Sequence, residues 1–269
     1  MKLLRLLLKG IFEKRLIYLL RGSRITIEKG GYFKVGKNVI IRNSKIYVKK
    51  GDSLIIGNNT YISEANISMI KGEQSEIHIG INCEIKEFDL SITKGVIRIG
   101  DWTKLLKGDE SLRPNFEIQG KLTIGNYNSL RCSIWIRFNG CVDIGSRNAI
   151  NEGTEIRSDE NVKIGDYNQI SYNCIFWDTN THTIYKAEQR RAMTDKQYPE
   201  FGLEFEKPKT APISIGNDCW IGKGVSVLKG SQIEDKCIVA YGTLISNITI
   251  TKNKTIFNQS NLKIIDNQL

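Results

Sequence analysis

Residues 213–246 read ISIGNDCWIGKGVSVLKGSQIEDKCIVAYGTLIS. An aliphatic side chain returns here at every sixth position: Ile215, Ile221, Val227, Ile233, Val239 and Ile245. That period fits neither a helix of about 3.6 residues per turn nor a simple two-residue alternation. It suits a prism built from coils of three short parallel strands, each flat face sending one aliphatic side chain to the axis. Gly, Asn and Asp after the aliphatic residue supply tight corners, where positive φ is tolerated.

Outward from this stretch the same phrase recurs as VGKN, IGNN, IGIN, IGDW, IGNY, IGSR, IGDY and IGND. Its aliphatic residues are Val35, Ile56, Ile79, Ile99, Ile124, Ile144, Ile164 and Ile215, with gaps of 21, 23, 20, 25, 20, 20 and 51. Self-similarity at this period is the mark of a solenoid. The six-residue step is visible inside the units as well, in Ile124, Leu130, Ile136, Val142 and in Ile144, Ile150, Ile156, Val162. Early coils are degenerate: after Ile56 and Ile62 the register slips to Ile67.

The pattern resembles the hexapeptide-repeat family, whose members form a left-handed parallel β-helix with coils of about 18 residues. The resemblance covers residues 24–260 and implies an all-β, left-handed parallel β-helix with small corner insertions. Residues 1–23 are expected as a short basic N-terminal helix, and residues 261–269 as a C-terminal tail. A long excursion is expected at 183–212, where the repeat lapses and Pro199, Pro208 and Pro212 gather. Long departures from a rigid scaffold are usually functional.

Composition narrows the chemistry. The 269 residues are 40% hydrophobic and 25% charged, ordinary for a globular protein. Of the net charge of +10, five units lie in residues 1–22, where Lys2, Arg5, Lys9, Lys14, Arg15 and Arg21 face Glu13 alone. The rest is only mildly basic, which argues against a dedicated nucleic-acid binder. Two histidines, His78 and His182, cannot supply a three-His zinc site, and the six cysteines contain no CxxC pair. No metal is expected, and the cysteines read as reduced thiols of a cytoplasmic protein. The segment MKLLRLLLKGIFEKRLIYLLRG carries too many charges for a membrane span. Two readings of it stand: a helix lying peripherally on the membrane surface, or one packed on the protein or another subunit.

Two further phrases sharpen the resemblance. IGDYNQISYNCIFWDTNTH places His182 eighteen residues after Ile164, at the base of the excursion, and PISIGNDCWIG carries Trp220. In this order they resemble the acetyl-CoA-dependent O-acetyltransferases of galactosides and capsular polysaccharides. The resemblance implies His182 as general base, since neutral imidazole suits removal of a proton from a sugar hydroxyl. It implies Trp220 as an oxyanion donor or a wall for the thioester arm. Asn151, seven residues after Ile144, would hold the acceptor hydroxyl.

Asp178 is a further candidate, to orient His182. Arg190 and Arg191 are candidates for an anionic acceptor, and Lys223, Tyr241, Lys252 and Lys254 for contacts to CoA. Lys223 and Tyr241 stand where small residues are commoner in the family. A homotrimer with sites between subunits is implied by the resemblance alone. An N-acetyltransferase of a nucleotide-linked amino sugar and a non-catalytic glycan-binding scaffold are the alternatives.

Overall fold

The computed structural model describes residues 15–72, 74–108, 113–199 and 206–259. They wind as an all-β, left-handed parallel β-helix of about 11 turns. Left-handed connections between parallel strands are the exception to the usual rule. Like strands of successive coils stack in register on three faces. The first face runs from Ile40–Arg42 to Thr255–Ile256, the second from Ser23–Glu28 to Leu244–Ser246, and the third from Tyr32–Val35 to Thr249–Ile250. In every coil the chain passes from first face to second to third, so each edge of the prism joins two named faces. Three long strands, Asp89–Ile99, Asn115–Ile124 and Ser133–Ile144, carry the second face round into the third.

The six-residue step becomes three inward rows. Leu130, Ile150, Ile170, Ile221 and Val239 pair in turn on the first face, and Ile124, Ile144, Ile164, Ile215 and Ile233 on the third. All of them are buried. Each such side chain stabilises the fold by about 1.5–3 kcal/mol through burial. Val35 is the exception: its strand has one neighbour, at the open end of the third face, and the side chain is exposed. Ile67, where the register slips, still points inward, paired with Ile46 and Leu90.

The phrase after each aliphatic residue is explained at the edge between third and first faces. Successive corner backbones there nearly touch. A Cβ on Gly165 would lie 2.6 Å from the carbonyl oxygen of Gly216. Two residues further on, the chain adopts left-handed φ in coil after coil. Asn38 (57°), Asn59 (57°) and Asn82 (54°) occupy the position first, then Trp102 (57°), Tyr127 (59°), Arg147 (60°) and Tyr167 (60°). That conformation costs an ordinary L-residue about 1–2 kcal/mol, and Asn least.

One residue later, buried Asn128, Asn148 and Asn168 form a ladder. Each accepts a backbone N–H from the next coil, at 2.8 Å, ending on Cys219. Their amides donate to the carbonyls of Gly145, Gly165 and Gly216, each at 2.9 Å.

Two expectations are corrected. Within the segment expected as an N-terminal helix, Arg15–Leu20 is a strand, antiparallel to Ser23–Glu28. Arg21 and Gly22, both at positive φ (45° and 77°), form the two-residue turn that matches strand twist in a hairpin. The strand covers an edge that the first coil would leave unpaired. Residues 1–14, and the tail 261–269, lie outside the described residues. The excursion 183–212 is not simply a loop. It contains α1 (Ala187–Gln197), a helix with no buried residue.

Candidate active site

His182 stands where the second face turns toward the third. The excursion leaves and returns through a clasp: Thr179 bridges Thr210, Asn180 N–H donates to Lys209 O, and Ala211 N–H donates to Asp178 O. Arg137, on the long strand two coils earlier, fixes the backbone just before the histidine. Its guanidinium grips Asp159 with two hydrogen bonds of 2.9 and 2.7 Å and donates to Thr181 O at 3.2 Å. Asp159, nearly fully buried, also accepts from the Thr179 hydroxyl at 2.6 Å. His182 itself is exposed.

Asp178 belongs to the corner rather than to the imidazole. Its carboxylate accepts from the Ser158 hydroxyl (2.8 Å) and from the N–H groups of Asp159 (2.8 Å) and Glu160 (2.9 Å). Burial pushes its pKa above the ordinary carboxylate range, and these hydrogen bonds pull it back. Arg137 and Asp159, which hold the His182 backbone, were not singled out from sequence. The phrases SDE and DTN, one coil apart, carry only a faint sign of the paired corner.

Beside the same edge a cavity of about 290 Å³ is lined by Trp135, Arg137, Arg157 and Glu117. The Arg157 guanidinium is sandwiched between two indoles on the second face, 4.8 Å from the Trp135 ring and 4.6 Å from the Trp177 ring. Glu155 pairs with it from two residues back on the same strand.

Trp220 and Asn151 are brought together, but elsewhere. Trp220 projects from the first face, 57% exposed, and shares a cleft of about 420 Å³ with Asn151, Ser171, Tyr127, Arg147 and Tyr167. Asn151 is half-buried at the edge between first and second faces, its amide donating to Ile170 O at 3.2 Å. Lys223 and Tyr241 follow each other along that same edge, where Gly242 N–H donates to Lys223 O, and both are exposed. Exposed Lys252 and Lys254 border the first face on its other side, just before Thr255–Ile256. The four residues expected for CoA thus bracket the face that presents Trp220. Arg190 and Arg191 are exposed on α1.

The edge carrying His182 lies across the prism from the first face. Within a single copy of the chain, His182 therefore does not meet Trp220 or Asn151. No cluster of three metal-ligating side chains occurs among the described residues. Nor is any described helix long and apolar enough to cross a membrane.

Residues 212–247 match the family model described as Bacterial transferase hexapeptide (six repeats), so the chain carries the repeat of that transferase class. No curated protein sequence matches. Two solved structures are similar in fold. One is the polySia specific acetyltransferase NeuO, with 16% identity and a TM-score of 0.37, covering 81% of this chain and 74% of the other. The second is the polysialic acid O-acetyltransferase OatWY, with 22% identity and a TM-score of 0.33, covering 84% and 81%.

Proposed function

We propose that this protein transfers an acetyl group from acetyl-CoA to a hydroxyl of a saccharide, with His182 as general base. The observation that carries the reading is the placement of His182. It is the one histidine at the mouth of the excursion, its backbone pinned by the Arg137–Asp159 clasp, in the coil next to the one bearing Trp220. A sugar hydroxyl bound at this edge would pass its proton to the imidazole as its oxygen attacks the thioester carbonyl. The imidazolium then returns the proton to the departing thiolate. A positioned N–H donor, such as the Trp220 indole, would stabilise the tetrahedral oxyanion between these steps.

Because His182 and Trp220 lie on opposite sides of one prism, a site using both takes them from two copies. A cyclic trimer of parallel solenoids meets the requirement: each copy's His182 edge faces the next copy's first face at the same height. The donor then lies along the first face between Lys223 and Tyr241 on one side and Lys252 and Lys254 on the other. Asn151 stands on the acceptor's side of that groove.

Replacing His182 by Ala is expected to lower turnover by about two to four powers of ten, the usual contribution of a positioned acid–base group. Acetyl-CoA affinity should barely change. Near-wild-type turnover would place the base elsewhere. Failure of the wild-type chain to turn over acetyl-CoA with any saccharide would favour a scaffold. An alkali-stable product would favour amide formation on an amino sugar.

A further inference from the structure

The left-handed position that Asn occupies in the early coils is taken over, in four successive coils, by Trp102, Tyr127, Arg147 and Tyr167. Nothing in the corner geometry calls for rings there; Asn serves the same turn with less strain. The replacements form a continuous ladder along the edge between third and first faces. Trp102 and Tyr127 lie parallel, 7° between planes and 6.1 Å between centroids. The Arg147 guanidinium lies 4.9 Å from the Tyr127 ring and 5.4 Å from the Tyr167 ring. The three rings remain 50, 52 and 53% exposed, so the stack is not covered by the chain's own packing. Arg147 forms no ion pair with a carboxylate among the described residues; its guanidinium lies over the two rings.

The ladder also leads somewhere. Tyr127, Arg147 and Tyr167 form one wall of the cleft that holds Trp220 and Asn151, where Ser129, Gln169 and Ser171 add polar groups. Coils stack at about 4.8 Å, so the three steps from Trp102 to Tyr167 make a strip of roughly 14 Å.

We infer that this edge is a binding strip for an acidic saccharide chain. The ring faces take the apolar faces of successive sugars, Arg147 takes a carboxylate, and one end of the chain enters the Trp220 cleft. An unpaired guanidinium held between two aromatic rings keeps N–H groups for a planar anion, which a neutral glycan does not supply. The direction of the strip rests on the transferase reading above; the strip as a binding site does not.

The substitution that tests it is written into the fold itself. Tyr127→Asn with Tyr167→Asn restores the residue that earlier coils use at the same φ, so the corner keeps its geometry. Affinity electrophoresis of the full chain through gels containing polysialic acid, hyaluronan, polygalacturonate or neutral dextran reads binding directly. The expected result is retardation by at least one acidic polymer and not by dextran, weakened at least tenfold in the double variant and in Arg147→Gln. Circular dichroism should keep its wild-type shape.

Retardation equal in variant and wild type, or none with any of the four, overturns the proposal. So does a change of oligomeric state without a change in retardation, which would make the strip a contact between copies. Acetyl transfer, measured separately with monosaccharide acceptors, divides the two readings. Transfer by wild type with no ladder-dependent retardation leaves the catalytic reading standing alone. Ladder-dependent retardation without transfer leaves the strip alone.

Discussion

At the scale of single residues, the six cysteines show how placement overrides composition. All six are free thiols, and Cys132 is enclosed at the corner between first and second faces. Burial pushes its pKa up to about 12, and that of Cys141 to about 11. An unfolded chain would release the Cys132 proton near pH 8.5, where the folded chain keeps it. The unfolded state then binds fewer protons, so stability falls as pH rises, by up to about 1.4 kcal/mol per unit for one such thiol. Its contribution is fully present below about pH 8. The urea midpoint should therefore hold near pH 7.5 and drop between pH 9 and 10. In Cys132→Ala the midpoint should start lower and drop less. A midpoint that stays level to pH 10 in the wild type would mean that water reaches this thiol.

At the scale of elements, the coils are joined as much by the buried amide ladder as by the aliphatic rows. Replacing Asn148 by Ala removes the acceptor for Asn168 N–H and the donor to Gly165 O. Leaving buried partners unsatisfied costs about 1–3 kcal/mol each, so a loss of several kcal/mol in urea unfolding is expected. A loss below about 1 kcal/mol would show that water substitutes for the amide. This ladder was present in the phrases IGNYN, IGSRN and IGDYN, yet sequence alone cannot tell a corner Asn that faces solvent from one that faces inward.

The six-residue aliphatic step was legible because burial on one row admits few side chains, and Ile144, Ile150, Ile156 and Val162 all point inward as read. His182 was legible as a position, since the repeat lapses beside it. Its distance from Trp220 was not, because spacing along a solenoid gives height and coil without saying which edge a residue outside the strands occupies. Arg15–Leu20 was misread because its Leu, Ile and basic residues serve a helix or an edge strand equally well, and the Arg-Gly turn decides between them.

At the scale of the whole molecule, charge is concentrated at the N-terminus. Lys2, Arg5, Lys9 and Lys14 against Glu13 leave residues 1–14 with three net positive charges beside Leu3, Leu4, Leu7, Leu8, Ile11 and Phe12. Each basic residue contributes about 1 kcal/mol near an anionic bilayer, and buried leucines add to it. Several copies held in one assembly would bind as a unit, so even weak attachment becomes firm through effective concentration. The strand Arg15–Leu20 divides the segment: it pairs with the first coil, and removing it would reopen that edge. The informative truncation is therefore residues 1–14 alone.

The full chain is expected to sediment with vesicles containing phosphatidylserine, less so as salt rises, and hardly at all with neutral vesicles. Chain 15–269 should remain in the supernatant with its circular dichroism unchanged. Equal sedimentation of both chains would assign the attraction to the basic surface of the solenoid, and sedimentation of neither would free residues 1–14 for contact with protein. The transferase reading survives all three results, because it rests on His182 and on the first face, both of which the chain 15–269 retains.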